Sequence, residues 1–150
     1  FEATQESTRI WLKKGLLDVE DRLLFLITDL ERKIVGHIGF NGCINDEFKF
    51  EIDNVVRGVS NACPGIMSAA LQRILIWAED SFELHGFFLR VMEENKHAIS
   101  FYKKNGFTES IKIPLKRKTK GEFISYVEST NPNDFDKYFI KMERGVNNNS

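Results

Sequence analysis

The sequence predicts a mixed α/β fold, with helices on both faces of a sheet. Two patterns support this: strand-like segments follow one another early in the chain, and strands then alternate with helices. A length of 150 residues suits one domain, and 42% hydrophobic residues, including 13 Phe, are enough for a sizeable core. We therefore expect a single domain over residues 1–150, with 146–150 as a disordered tail.

The first half is predicted to contain one helix and three strands. Thr4 or Ser7 can cap a helix that runs to about Asp18. A turn at 29–33 joins the first two strands, so these should form an antiparallel hairpin. The strands are expected at Leu23–Thr28, Ile34–Phe40 and Phe48–Val56.

Alternation along the third strand places two carboxylates on one side. Phe48, Phe50, Ile52 and Asn54 are predicted to share one face, and Lys49, Glu51, Asp53 and Val55 the other. Glu51 and Asp53 should therefore project together.

The second half alternates helices and strands. After a loop at 57–64, Gly65 opens a long helix whose apolar residues recur at helical spacing as far as Phe82. A basic turn at 116–121 is expected to join two later strands into a hairpin. The remaining predicted elements are the strand Phe87–Met92, the helix Asn95–Asn105, and the strands Phe107–Leu115, Glu122–Val127 and Lys137–Glu143.

The stretch from Arg90 to Phe107, RVMEENKHAISFYKKNGF, carries the strongest functional signal. Asn95 can cap its helix, and Gly106 can take the left-handed conformation that ends it. The order Asn-x-x-Ala-x-x-Phe-Tyr-x-x-x-Gly-Phe resembles the acetyl-coenzyme A binding segment of the GNAT superfamily of N-acetyltransferases, since several fixed spacings agree at once.

This resemblance implies a mostly antiparallel sheet that is splayed between two parallel strands, with helices on both faces. Family members usually begin with a further strand and helix ahead of the region that corresponds to residues 2–18. Those elements are missing here and the chain begins with Phe1. We therefore expect either a fragment of a longer polypeptide or a chain whose missing elements come from another part of the parent polypeptide.

The resemblance also implies a site for acetyl-CoA, which acts as co-substrate. The pyrophosphate would lie at the start of the long helix, where unpaired amides and the helix dipole stabilise an anion. The family's glycine-rich loop corresponds to Ala62-Cys63-Pro64-Gly65-Ile66-Met67, in which Cys63 replaces a glycine and Pro64 removes one donor. Taken alone, this loop is a weak signal. The implied coenzyme-binding residues are Val55, Val56, Cys63, Pro64, Gly65, Ile66, Asn95, Ala98, Tyr102 and either Lys103 or Lys104.

Acetyl transfer to an amine needs a proton acceptor for the amine and a proton donor for the departing thiolate. Tyr102 occupies the position of the family's general acid, and the alternative is a tyrosine that only packs its ring. Glu51 or Asp53 can accept a proton through a water, although paired strand carboxylates are often only solvated or salt-bridged. His37 is a further candidate base, or simply a hydrogen-bonded strand histidine.

Composition excludes several other classes. A net charge of −1 and a pI near 6.4 predict no nucleic-acid partner, and the basic run 116–120 is either a solvated turn or an anion contact. No apolar run reaches the ~18 residues of a membrane span. The two cysteines predict a reducing cytoplasm, no metal-ligand spacing is present, and we expect a monomer or homodimer.

The acceptor is the least determined part of the prediction. The segments EIDNVVRGVSNACPGIM and KYFIKME resemble the branch of the family that acts on amino-sugar nucleotides or ribosomal proteins. We therefore expect the primary amine of a small molecule, first of all an amino-sugar nucleotide. The alternatives are a peptide or ribosomal-protein N-terminus, a non-catalytic coenzyme A binding module, and a scaffold that binds no coenzyme.

Overall fold

The computed structural model describes residues 4–60 and 62–147, which divide into two compact units. The first unit comprises the described residues up to 88 together with 145–147, and the second unit comprises 89–144. Within these described residues, seven strands and three α-helices follow the predicted order. Their bounds are α1 Gln5–Leu12, β1 Leu23–Thr28, β2 Ile34–Asn41, β3 Lys49–Arg57, α2 Ile66–Ser81, β4 Gly86–Met92, α3 Lys96–Lys104, β5 Thr108–Lys120, β6 Phe123–Glu128 and β7 Lys137–Gly145.

The first unit is built on the strand order β1-β2-β3-β4. The hairpin of β1 and β2 is antiparallel as predicted, β2 and β3 are also antiparallel, and β3 and β4 are parallel. One face of these strands packs aromatic rings against α2 and its C-cap. The ring centroids are 5.0 Å apart for Phe25 and Trp77, and 5.1 Å apart for Phe50 and the cap residue Phe82. Buried Phe40 contacts the rings of both Phe25 and Phe50. This mixed α/β arrangement confirms the predicted fold class.

The first helix begins and ends as predicted but changes its winding on the way. Thr4 and Ser7 form a reciprocal cap, with the Ser7 amide donating to Thr4 Oγ1 at 3.1 Å. The α-helical winding ends at Leu12, and residues 13–17 continue the helix as a π-helical turn with Asp18 as its C-cap, so the predicted end near Asp18 is confirmed.

Strand β3 departs from the predicted alternation at both ends. Phe48 has a φ of +53° and lies outside the strand, which begins at Lys49. Asn54 has a φ of +50° and forms a bulge, since the register passes from Gly39–Asp53 to His37–Val56. Asn54 therefore does not continue the face of Ile52, whereas Glu51 and Asp53, which precede the bulge, share a face as predicted.

The second unit follows the strand order β4-β7-β5-β6, with β5 antiparallel to both neighbours. The run 116–120 was wrongly predicted as a turn. It is the last part of β5, paired with β6 as far as Lys120–Phe123. The chain reverses over only two residues because Gly121 adopts a φ of +61°, which a two-residue hairpin loop favours.

The predicted tail is described only in part. Gly145 is the last residue of β7, and residues 148–150 lie outside the described part of the chain. Within residues 4–60 and 62–147, no helix has the length and apolarity needed to cross a membrane.

Candidate active site

The start of helix α2 has the geometry of an anion site. Gly65 caps it in the left-handed conformation with a φ of +81°, and no side chain occupies the cap. The Ile66 amide donates to the Cys63 carbonyl at 3.2 Å, so it is already engaged within the loop. Met67 lies in the first turn, where the helix itself offers its amide no acceptor. The amides of Gly65 and Met67 are therefore better candidates for an anion than the predicted amide of Ile66.

A cleft of about 710 Å³ lies beside this loop, within the first unit. On the other side it is bounded by the turn between β1 and β2. Asp29 in that turn accepts the amides of Glu31 and Lys33 at 2.9 Å each, so its carboxylate shapes the turn. The lining residues are Thr28, Asp29, Leu30, Glu31, Ala62, Cys63, Pro64, Gly65, Ile66 and Ala69.

Arg57, at the end of β3, holds the segment that leads into the loop. Its guanidinium donates to the carbonyls of Val59 at 3.1 Å, Ser60 at 2.8 Å and Ala62 at 2.9 Å. One rigid fork thus fixes three backbone groups just before Cys63. The sequence analysis missed this role, which the position of an arginine at a strand end does not reveal.

The predicted pantetheine edge lies beyond the bulge of β3. Among the described residues, the parallel register of β3 and β4 stops at Glu51–Phe88, whereas β3 continues to Arg57. Val55 and Val56 occupy this continuation, and Val56 is 44% exposed. Their position on an open strand edge is what backbone pairing to an extended chain requires.

His37, on β2, is hydrogen-bonded to the same bulge. Its Nδ1 lies 2.6 Å from the Asn54 carbonyl oxygen. Because a carbonyl only accepts, Nδ1 carries the proton, which leaves Nε2 as the acceptor in the neutral ring. Both predicted alternatives, a hydrogen-bonded strand histidine and a base, are compatible with this contact.

Glu51 and Asp53 belong to a polar network on one face of the first unit. Asn41 Nδ2 donates to Glu51 Oε2 at 3.2 Å, and Arg22 Nε donates to Asn41 Oδ1 at 2.8 Å. Arg22 also donates to the Gly15 carbonyl at 3.0 Å and lies 3.9 Å from Asp53 Oδ2. Glu51 is only 8% exposed. Neither Arg22 nor Asn41 was singled out from sequence, although the pairing of Asn41 with Glu51 follows once the register of β2 and β3 is known.

The pKa of Cys43 is raised mainly by burial. Burial, with the nearby carboxylates of Asp21 and Asp53, raises the pKa of the Cys43 thiol to about 11. The Cys43 thiol therefore stays protonated near neutral pH.

In the second unit, α3 presents the other predicted coenzyme residues. Asn95 caps the helix as predicted, with its Oδ1 accepting the Ala98 amide at 3.1 Å. At the opposite end, Lys103 pairs with Glu109 at 2.7 Å, a contact that lowers the pKa of that carboxyl, and Lys104 is exposed. Of the two predicted lysines, Lys104 is therefore the better candidate for the adenine end of the coenzyme.

Tyr102, the predicted general acid, lies on the buried side of α3 at 8% exposure. The rings of Phe101 and Phe107 contact it at centroid distances of 5.3 and 6.0 Å. Burial raises the pKa of its phenol to about 12. The hydroxyl therefore keeps its proton throughout the physiological range, as a proton donor must, and the ring also packs in the core.

The basic run of β5 is partly neutralised within the second unit. Lys116 pairs with Asp134 and lies 3.8 Å from Asp136. These ion pairs favour a solvated strand over an anion contact for Lys116.

Comparison with known proteins is consistent with this geometry. The model of the acetyltransferase (GNAT) family matches residues 1–107. A search of curated proteins found no significant match.

Among solved structures, a Vibrio cholerae spermidine N-acetyltransferase in complex with CoA and spermine superposes with a TM-score of 0.70 at 14% identity, covering 96% of this chain and 76% of that chain. A chimera of the Vibrio cholerae spermidine N-acetyltransferase SpeG and hSSAT gives 0.71 at 15% identity, covering 96% and 78%. At these identities the structures show a shared fold. The family match spans well over half of the sequence, so the chain belongs to the GNAT family of acetyltransferases, as its helix α3 motif predicted.

Proposed function

We propose that this chain transfers the acetyl group of acetyl-CoA to the primary amine of a small molecule, by direct attack within a ternary complex. The observation that carries the proposal is the left-handed Gly65 at the start of α2, beside a cleft of about 710 Å³. Amides at a helix start stabilise a pyrophosphate, and a glycine there admits its close approach. The substitutions Cys63 and Pro64 leave this arrangement intact.

The residues proposed to hold the coenzyme lie in the loop before α2 and the first turn of α2, on β3 and in α3. Gly65 and Met67 offer amides to the pyrophosphate, while Cys63, Pro64 and Ile66 give the loop its shape. The edge of β3 at Val55 and Val56 would pair with the pantetheine. In helix α3, Asn95 and Ala98 are proposed to contact the pantetheine, and Lys104 the adenine end. When bound, acetyl-CoA supplies an activated acyl thioester.

The proton transfers are assigned to this chain's own side chains. The amine must lose a proton to become a nucleophile, and we assign that proton to Glu51, with Asp53 and Nε2 of His37 as the other bases within the first unit. Tyr102 is proposed to donate the proton that the departing thiolate of the coenzyme needs. It is protonated at every pH at which the protein would act, because burial raises its pKa to about 12.

Two acceptors are proposed. The sequence resemblance of residues 51–67 favours an amino-sugar nucleotide. A polyamine is favoured by the two neighbours of the fold that are named as spermidine N-acetyltransferases. The carboxylates of Asp21 and Asp53 near Cys43 would also attract its cationic amines. The two differ in charge, since the nucleotide carries phosphates and the polyamine is cationic.

The test combines binding and turnover. Calorimetry with acetyl-CoA should show binding, and thiol release should rise when amino-sugar nucleotides, spermidine or peptides are added. Tyr102→Phe should lower kcat by about 10²-fold while acetyl-CoA still binds. Binding without turnover of any amine would favour the coenzyme-binding module, and no binding at all would favour a scaffold. Turnover of peptides alone would replace the small-molecule acceptor with a protein N-terminus.

A further inference from the structure

We propose that Arg22 is the positioning residue for the Glu51 carboxylate and that it acts through Asn41. The inference rests on the proposed function, in which Glu51 accepts the proton of the attacking amine. Three hydrogen bonds carry it, and all of them lie within the first unit. They join the Gly15 carbonyl, the guanidinium, the amide of Asn41 and the carboxylate in one chain.

The direction of each hydrogen bond follows from the chemistry of its partners. A guanidinium only donates, so the Asn41 oxygen must face Arg22, at 2.8 Å from Nε. The amide nitrogen then faces Glu51 Oε2 at 3.2 Å, and a carboxylate only accepts. A flipped amide would place oxygen against oxygen at Glu51 and nitrogen against nitrogen at Arg22. Arg22 thereby fixes which group of Asn41 is presented to the carboxylate.

Arg22 is itself fixed at its other end. Gly15 lies in the last turn of the π-helical segment 13–17, where the helix provides no N–H donor for the backbone carbonyls. Arg22 Nη1 donates to this carbonyl at 3.0 Å. The guanidinium therefore connects the first helical segment to β2, and Asn41 passes the connection to β3.

The burial of Glu51 makes the orientation of its carboxylate depend on neighbouring side chains. Glu51 is 8% exposed, so few water molecules reach its carboxylate and the direction of its oxygens depends on protein donors. Arg22 also lies 3.9 Å from Asp53, which gives it a second route to the same region. A test must therefore separate an effect through Asn41 from an effect through Asp53.

The structural readout is the ¹³C resonance of the Glu51 side-chain carboxyl in protein labelled at glutamate, assigned by its loss in Glu51→Gln. Asn41→Leu, which keeps the side-chain size, and Arg22→Met should both move this resonance. Arg9→Met, which removes a charge from exposed α1, is the control and should leave it in place. An unmoved resonance in both variants would overturn the proposal whether or not the protein turns over an amine.

The kinetic readout is a double-mutant cycle. Asn41→Leu and Arg22→Met should each lower kcat/KM about tenfold, with unchanged affinity for acetyl-CoA, and should move the acidic limb of the pH profile. In the Glu51→Gln background, neither should have a further effect. If the effects of Arg22→Met and Glu51→Gln on kcat/KM are fully additive, Arg22 does not act through Glu51. If the effect of Arg22→Met is the same in wild type and Glu51→Gln but disappears in Asp53→Asn, Arg22 acts through Asp53 instead. If the wild type binds acetyl-CoA and acetylates nothing, the proposed function fails and the resonance alone decides the positioning.

Discussion

At the scale of single residues, Tyr102 combines a packing role with a chemical one. Its folded pKa of about 12 lies above the ordinary value of 10, so the folded protein holds the phenol proton more tightly than the unfolded chain does. This stabilisation is complete below pH 10 and is lost as the pH rises towards 12. By linkage the loss amounts to about 3 kcal/mol. The wild type should therefore lose more unfolding free energy than Tyr102→Phe does between pH 9 and 11.5, as measured by urea unfolding.

Tyr126→Phe provides the control for this measurement, since it removes one phenol from a half-buried strand position. It should follow the wild type across the same pH range. If Tyr102→Phe also follows the wild type, the phenol is not held in a desolvated environment and burial does not raise its pKa.

The two cysteines should differ in reactivity. The thiolate is the reactive form, and burial with Asp21 and Asp53 raises the pKa of Cys43 to about 11, whereas Cys63 is exposed beside the cleft of α2. At pH 8, iodoacetamide should therefore modify Cys63 before Cys43, as read by peptide mass spectrometry. Coenzyme A should slow the modification of Cys63 alone. Equal protection of both cysteines would point to a general stabilisation of the fold instead of binding at the loop.

At the scale of elements, the loop before α2 depends on a contact from a strand. Arg57 fixes three carbonyls at 2.8 to 3.1 Å, so Arg57→Met should release the loop and raise the Kd for acetyl-CoA about tenfold, with kcat little changed. Calorimetry and steady-state kinetics measure the two effects separately. Arg117→Met, on β5, removes the same charge far from the loop in sequence and should leave both constants unchanged. A lowered kcat with an unchanged Kd would contradict a role in holding the coenzyme loop.

Sequence patterns predicted some bounds of the helices and strands and missed others. The bounds of β1 were predicted to the residue, because an unbroken apolar run was flanked by clear turn signals. The bulge at Asn54 was not predicted, because asparagine adopts positive φ in many contexts and only the pairing of β2 with β3 fixes a bulge at this position. The run 116–120 was mistaken for a turn because lysines look solvated, and both a turn and an exposed hairpin strand are solvated.

At the scale of the whole molecule, short-range signals predicted the family and the cap residues, whereas long-range contacts determined the candidate chemistry. Asn95 and Gly65 were recognised from their own neighbours in sequence. Arg22, Asn41 and Glu51 come together only through the pairing of β2 with β3 and the return of the chain from residue 15 to residue 22. A single sequence contains no local pattern for that network.

The stability of the chain offers a test of the coenzyme loop that does not depend on catalysis. A ligand that binds only the folded state raises the free energy of unfolding by RT ln(1 + [L]/Kd), about 2.7 kcal/mol at a hundredfold excess over Kd. Gly65 and Gly121 both have positive φ, at +81° and +61°, and a Cβ at either would meet no atom within 4 Å. Gly65→Ala and Gly121→Ala should therefore each cost about 1 kcal/mol through backbone strain alone.

Only the helix-cap variant should also weaken the response to coenzyme, because strain at Gly65 redirects the amides at the start of α2. Denaturant unfolding with and without acetyl-CoA measures both quantities in one experiment. We expect the coenzyme-dependent increase to be smaller in Gly65→Ala than in the wild type and unchanged in Gly121→Ala. Equal coenzyme-dependent increases in the wild type, Gly65→Ala and Gly121→Ala would show that binding of the pyrophosphate does not depend on this helix start. Gly121→Ala is the matched control because it introduces similar backbone strain at a different position.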